Sequence, residues 1–120
     1  MRKRLAAGLV MGALGLQAAT AQEGWVRLNA AGIVAALADV TVRYDAHTLE
    51  VYRTDGTTRL ITERVADGLW EVRDDRFCSS WPPSTVWTCY DVDRAGDMLR
   101  FTGDAGHAST GQRMPVPLDD

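Results

Sequence analysis

The chain has two cysteines, Cys78 and Cys89, and they lie eleven positions apart in the stretch "DDRFCSSWPPSTVWTCYDV". An isolated pair at this spacing cannot supply the four ligands of a structural zinc site, and it is not a redox CxxC motif. In a small chain that enters an oxidising compartment, as the N-terminal segment of this sequence predicts, such a pair indicates a structural disulfide. We therefore expect a Cys78–Cys89 bond that braces a hairpin.

The register of this hairpin follows if the two cysteines face each other across antiparallel strands. The pairing then places Arg76 opposite Asp91, which is a charge-complementary pair, and Phe77 opposite Tyr90, which is an aromatic pair. Cross-strand pairs of these kinds stabilise two-stranded ribbons. The remaining opposed pair brings Ser80 next to Trp87 and leaves residues 81–86 as the connecting loop.

The N-terminal segment "MRKRLAAGLVMGALGLQAATAQ" has the pattern of a secretory signal peptide. Three basic residues precede an apolar run that is too short to anchor a protein stably in a bilayer, and Ala19-Thr20-Ala21 fits a signal peptidase site. No cysteine lies near this site, so a lipoprotein anchor is not expected. We predict a signal peptide over residues 1–21 and one β-rich domain over 22–120, in the periplasm or secreted.

Charge limits the classes of partner. Loss of Arg2, Lys3 and Arg4 with the leader lowers the basic residues from 13 to 10 against 16 acidic ones, so the net charge changes from −3 to −6. No basic cluster remains to neutralise phosphates, and nucleic acid is therefore not an expected partner. Lys3 is the only lysine, so the mature chain has no side-chain amine for Schiff-base chemistry.

The rest of the sequence predicts a mainly β (α+β) fold. Asn29 is a good N-cap for one short helix over Ala30 to Ala38, and alternating patterns from Val40 onward predict about seven antiparallel strands. Asp55-Gly56 predicts a type I′ hairpin turn, Asp74-Asp75 another turn, and the Gly-rich C-terminal segment a last edge strand before a loose acidic tip. Two architectures fit: a helix packed on an open antiparallel sheet, or a small barrel or sandwich.

The aromatic loop of the cysteine hairpin is the candidate binding surface. Its residues are Trp81, Pro82, Pro83 and Trp87. At the tip of a stiff hairpin, Trp81 would present a flat apolar surface to a partner or a sugar. The alternative is that Trp81 folds back and covers the end of the sheet.

Histidines and carboxylates offer weaker candidates for chemistry. His47 and His107 both fall in predicted turns or loops, and no nucleophile motif or metal-binding spacing accompanies them. "DVDRAGD" places Asp91, Asp93 and Asp97 partly in the pattern of a calcium loop, but the closing carboxylate is missing and a hairpin turn explains it equally well. No catalytic residue, resident metal or cofactor is therefore assigned.

The segments "IVAAL", "YRTDGTT" and "GLWEVRDDRFCSSWPP" followed by "CYDV" resemble a group of small exported alphaproteobacterial proteins. In that group a Gly-x-Trp strand precedes a paired-cysteine hairpin. The resemblance covers roughly residues 33–102. It implies a periplasmic setting and carries no catalytic residues.

Three functional hypotheses remain. The first is a non-enzymatic periplasmic binding or interaction module for a protein, a glycan or a small apolar ligand. The second is a small hydrolase or metal-dependent enzyme that uses His47 or His107, which requires the two imidazoles, or one of them and a serine, to meet in space. The third is an envelope accessory protein without a ligand. The sequence does not determine the oligomeric state.

Overall fold

The computed structural model describes residues 24–114. The predicted leader and the predicted C-terminal tip lie outside these residues. The elements in chain order are β1 Val26–Arg27, α1 Ala30–Leu37, β2 Val40–Asp45, β3 Thr48–Tyr52, β4 Thr57–Ile61, β5 Val65–Arg73, β6 Arg76–Ser80, β7 Trp87–Ala95, β8 Met98–Thr102 and β9 Ala108–Met114. Within the described residues, no helix is long and apolar enough to cross a membrane.

Strands β2 to β9 form a closed, eight-stranded antiparallel barrel. Each strand pairs with the next one along the chain, and β9 pairs back with β2, with Gln112 opposite Arg43. The fold is therefore the barrel alternative of the two that the sequence allows. The last strand was expected at an edge, but it is paired on both sides because it closes the barrel.

The short strand β1 lies on the outside of this closure. β7 pairs with β6 through Trp87–Tyr90 and with β8 through Asp91–Ala95. β1 pairs with Asp93 and Arg94, along the edge of β7 that β6 no longer occupies. β1 thus pairs with the part of β7 that extends beyond its pairing with β6.

Helix α1 closes one end of the barrel. The Asn29 side chain caps it by accepting a hydrogen bond from the Gly32 N–H at 2.9 Å, as its sequence predicts. Ile33 and Leu37 are fully buried and join the core of the barrel. A second contact fixes the helix start, because the Asp75 carboxylate accepts a hydrogen bond from the Ala30 N–H at 2.8 Å.

Both predicted turns are present, but the type I′ geometry occurs at Asp74-Asp75 and not at Asp55-Gly56. At "TDG" only Gly56 has positive φ, at 90°, so the predicted type I′ turn at Asp55-Gly56 is wrong. Asp55 instead accepts hydrogen bonds from the Thr57 N–H and hydroxyl, which holds a longer turn with glycine at its left-handed position. Asp74 and Asp75 both have positive φ, 50° and 60°, as a type I′ turn requires.

The cysteine hairpin has the predicted register. Cys78 faces Cys89, Phe77 faces Tyr90 and Ser80 faces Trp87. The disulfide is formed, and Arg76 Nε lies 3.2 Å from the Asp91 carboxylate. Because Phe77 points into the core, Cys78 points to the outer side of the wall, where it is nonetheless fully covered. The bond therefore braces the wall from outside and leaves the interior free.

Candidate functional site: a cavity at the open end of the barrel

The interior of the barrel divides into a packed half and an open half. Near α1 it is filled by apolar side chains, which include Val42, Trp70, Val92 and Leu99. At the opposite end, the hairpin connections of β2–β3, β6–β7 and β8–β9 surround a cavity of about 480 Å³. This volume lies within the range of about 300–1,000 Å³ that small-molecule sites occupy.

Aromatic rings form most of the apolar wall of this cavity. Phe77 lies at the centre, with its ring centroid 5.7 Å from that of Tyr52, 5.3 Å from that of Phe101 and 6.0 Å from that of Tyr90. These separations are typical of packed aromatic pairs. The rings support one another, so the floor of the cavity is formed by fixed aromatic surface.

Two inward-facing glycines make room for two further rings. A Cβ at position 68 would lie 2.6 Å from Cε3 of Trp81. One at position 111 would lie 2.5 Å from Cγ1 of Val42 and 3.0 Å from Cδ1 of Tyr44. A side chain at position 68 would collide with the indole, and one at position 111 would collide with Val42 and crowd the Tyr44 ring. Gly68 therefore lets Trp81 lie across the mouth, and Gly111 lets Tyr44 lie against the wall.

The polar wall is concentrated on β3 and its neighbours. Glu50 is only 7% exposed, and its Oε2 lies 2.8 Å from the Thr58 hydroxyl. The Tyr44 and Tyr52 hydroxyls lie 2.7 Å apart and form a second polar pair beside it. Further hydroxyl groups line the cavity, from Thr48, Ser79, Ser109 and Thr110.

Burial dominates the ionisation of these groups. Loss of solvent raises the pKa of Glu50, and hydrogen bonding by the Thr58, Tyr52 and Tyr44 hydroxyls opposes only part of this rise. Burial also raises the pKa of Tyr44 and of Tyr52 well above the usual value for tyrosine, and the Glu50 charge adds to both shifts. Both phenols are therefore hydrogen-bond donors and acceptors at neutral pH.

The structure separates the four residues of the predicted binding surface. Trp81 is half-buried and folds back over the mouth, which was the alternative to an exposed tip. Pro82 and Pro83 are exposed on the loop. Trp87 lies on the outer wall, where the Arg73 guanidinium carbon is 4.8 Å from its ring centroid. Of the four residues, Trp81 alone lines the cavity.

Neither histidine belongs to a catalytic arrangement in residues 24–114. His47 lies in the β2–β3 turn and His107 in the β8–β9 loop, both exposed and both at the open end. The His47 backbone N–H donates to the Asp45 carboxylate, and within residues 24–114 neither imidazole hydrogen-bonds a serine or a carboxylate. The hydrolase hypothesis requires such a contact, and none is formed among the described residues.

The three carboxylates of the calcium hypothesis form ion pairs with arginines. Asp91 and Asp93 both pair with Arg27, and Asp97 pairs with Arg113. Gly96 has a φ of 60° and forms the β7–β8 turn, as the hairpin interpretation predicts. The described part of the chain contains no group of three or more His, Cys, Asp or Glu residues that could hold a metal ion.

Neither Glu50 nor the cavity was among the features predicted from the sequence. In "TLEVY", Leu49 and Val51 alternate with Glu50, and this pattern favours an outward glutamate. Glu50 is in phase with Tyr52, however, and this tyrosine was the available signal that the face carrying Glu50 is enclosed. Comparison with known proteins adds no assignment: no family model, curated protein or solved structure matches the chain.

Proposed function

We propose that the protein is an exported, non-enzymatic binding module that holds a small, partly apolar ligand in the cavity at the open end of the barrel. The observation that carries this proposal is the combination of a closed lower end with an open, aromatic-lined upper end. α1 and the apolar core fill the barrel at one end, whereas about 480 Å³ remains free at the other. A cavity with an aromatic wall and polar groups that converge on its interior is typical of ligand sites.

The arrangement of the walls supports binding rather than catalysis. Glu50 is the acidic group of the cavity, and its neighbours are hydroxyl groups of threonine and tyrosine. These groups can orient a ligand through hydrogen bonds. The disulfide lies in the outer wall, and it supports export because such bonds persist in oxidising compartments.

The direct test is binding of the neutral dye N-phenyl-1-naphthylamine, whose fluorescence rises in an apolar site. We expect saturable binding to the wild type at one site per chain. Ser79→Phe places a ring in the cavity and should abolish binding, and Thr48→Trp should do the same from the rim. Ala35→Phe adds a ring to the exposed side of α1 at the other end, and it should bind as the wild type does.

Circular dichroism and the melting temperature show whether each variant folds. Two cavity variants are included because Ser79 is buried, whereas Thr48 is only partly covered and tolerates a larger side chain more easily. Dye binding that is equal in all four proteins would place the dye elsewhere and contradict the proposal. Absence of saturable binding to the wild type would also contradict it.

A further inference from the structure

Glu50 is a carboxylate placed inside an aromatic cavity, and no described residue brings an opposite charge beside it. Of the described residues that line the cavity, it is the only acidic one, and none is arginine, lysine or histidine. Its Oε2 lies 2.8 Å from the Thr58 hydroxyl, and the other groups that influence it are the tyrosine hydroxyls. Neutral donors compensate a buried negative charge only partly.

Arg113 is the arginine in the same cross-strand row as Glu50, but its side chain makes other contacts. Arg113 pairs with Val42, and Val42 pairs with Glu50, so the three lie in one row across β9, β2 and β3. The Arg113 side chain donates to the Ala36 carbonyl at 2.8 Å and to the Asp97 carboxylate at 3.0 Å. It thus ties β9 to α1 at the closed end of the barrel, and it does not line the cavity.

The rings around Glu50 add a second attraction for positive charge. Tyr44, Tyr52 and Tyr90 line the same cavity, and Trp81 lies across its mouth. The face of an aromatic ring carries partial negative charge and attracts an ammonium group within about 6 Å of the centroid. A carboxylate among such rings is the combination that recognises organic cations, whereas it repels a ligand carboxylate.

From these observations we propose that the ligand is an organic cation, an amine or quaternary ammonium group on an apolar body, with its charged group beside Glu50. This inference rests on the proposed function, since it uses the same cavity. The ammonium group would supply the opposite charge that the wall lacks, and the apolar body would lie against Phe77 and Phe101. A neutral polyol would use the hydroxyl groups of the wall but would leave the carboxylate without a counter-charge.

The test compares three probes with one aromatic body and different charge: 1-naphthylmethylamine, 1-naphthalenemethanol and 1-naphthoate. Their dissociation constants are measured by calorimetry on the wild-type protein at neutral pH and about 0.15 M salt, where distant charges are screened. We expect the amine to bind about tenfold more tightly than the alcohol, since a hydrogen bond to a charged group has this magnitude. The naphthoate should bind weakest.

Glu50→Gln keeps the size of the side chain and removes its charge. It should weaken amine binding about tenfold and leave alcohol binding nearly unchanged. The matched control is Glu63→Gln, which removes the same charge from the exposed β4–β5 turn and should keep the amine preference. The probe series on the wild type remains decisive even if the Glu50 variant is poorly folded.

The possible failures separate the two proposals. If the wild type binds amine and alcohol equally and Ser79→Phe abolishes both, the proposal of a cationic ligand is wrong. The cavity then remains a binding site. An amine preference that persists in Glu50→Gln would overturn the assignment to Glu50. Binding of all three probes that survives Ser79→Phe would overturn the cavity itself, and with it the proposed function.

Discussion

The indole ring of Trp81 packs directly on the backbone of Gly68, so that a Cβ at position 68 would lie 2.6 Å from Cε3 and 2.8 Å from Cζ3 of the ring. Trp81 follows the last residue of β6, and Gly68 lies on the neighbouring strand β5. The contact therefore holds the tryptophan over the mouth of the barrel. Glycine is required here because a Cβ would have no room, and not because of its backbone conformation, since its φ is not in the left-handed region.

We expect Gly68→Ala to displace Trp81 and to lower the free energy of unfolding by about 1–3 kcal/mol, the usual effect of inserting a methyl group into a filled space. Urea unfolding followed by circular dichroism measures this loss. Gly103→Ala is the matched control, because its nearest contact would be an ordinary 3.5 Å to the Tyr90 ring. A loss equal to that of the control would contradict the packing of Trp81 on Gly68.

The same substitution in a Trp81→Ala background tests the cause of the strain. Two of the three closest atoms to the added Cβ belong to Trp81, and the third is the Ser80 carbonyl oxygen at 2.9 Å. The effect of Gly68→Ala should therefore become smaller without the indole, but it should not vanish. An unchanged effect would assign the strain to the backbone alone.

The disulfide should contribute a large share of the stability. Replacing both Cys78 and Cys89 with alanine opens a closed loop of about a dozen residues, for which the chain-entropy model gives a loss of about 3 kcal/mol. Urea unfolding of the double variant measures the change. As a control, a reducing agent should destabilise the wild type by a similar amount and leave the double variant unaffected. A loss below about 1 kcal/mol would contradict this role, given the model value.

Asp93 should stabilise the outer wall more than its neighbour Asp91. It is 6% exposed, and its two oxygens lie 2.9 Å from Arg27 Nε and 3.4 Å from an Arg100 nitrogen. These contacts tie β1 to β7 and β8. Because hydrogen bonds to charged groups contribute about 1.5–3 kcal/mol, we expect Asp93→Asn to lower the free energy of unfolding by about 1–3 kcal/mol.

Asp91→Asn is the matched control for that substitution. The Asp91 side chain is 37% exposed and pairs with Arg27 at 3.5 Å and with Arg76 at 3.2 Å. Solvent-exposed ion pairs contribute about 0–1 kcal/mol, so a smaller loss is expected here. Both variants are compared by urea unfolding, and the change in tryptophan fluorescence that is lost in a Trp25→Phe background reports the detachment of β1, because the Arg100 guanidinium lies over the Trp25 ring. Equal losses would contradict the special role of Asp93.

The local part of the fold was predictable from the sequence because its signals are local. The cysteine pair determines its own register, and the charge and aromatic pairs at Arg76–Asp91 and Phe77–Tyr90 agree with it. Asn29 marks the start of α1 through its capping chemistry. The Asp55-Gly56 turn was located correctly, but its type was wrong because the Asp55 side chain hydrogen-bonds Thr57.

Closure of the barrel and the cavity were not predictable in the same way. Pairing of β9 with β2 joins residues about seventy positions apart, and alternation along each strand is the same in an open sheet. The inward direction of Glu50 depends on that closure, since Leu49 and Val51 favour the opposite face. The roles of Gly68 and Gly111 follow from the side chains that pack against them, which no local pattern reveals.

Glu50 should make the stability of the protein depend on pH. Its pKa in the folded protein is raised by burial, so the folded state holds the proton to a higher pH than the unfolded chain does. At pH below the ordinary pKa of 4.5 for glutamate, Glu50 is protonated in both states and the free energy of unfolding does not change with pH through this group. As the pH rises above this value, the unfolded chain ionises first, and the free energy of unfolding falls until the folded state also ionises.

Glu50→Gln cannot ionise and should therefore gain stability relative to the wild type as the pH rises. We expect the difference in the free energy of unfolding to be constant in acid, to grow in favour of the variant above pH 4.5, and to level off above the raised pKa of Glu50. Asp45 and Asp55, whose pKa values are lowered by hydrogen bonds in their turns, act in the opposite sense, but they are present in both proteins and cancel. Urea unfolding from pH 4 to pH 8 measures the difference, with Glu63→Gln as the control for loss of one charge. A difference that stays constant over this range would show that the Glu50 carboxyl ionises as freely in the folded barrel as in the unfolded chain.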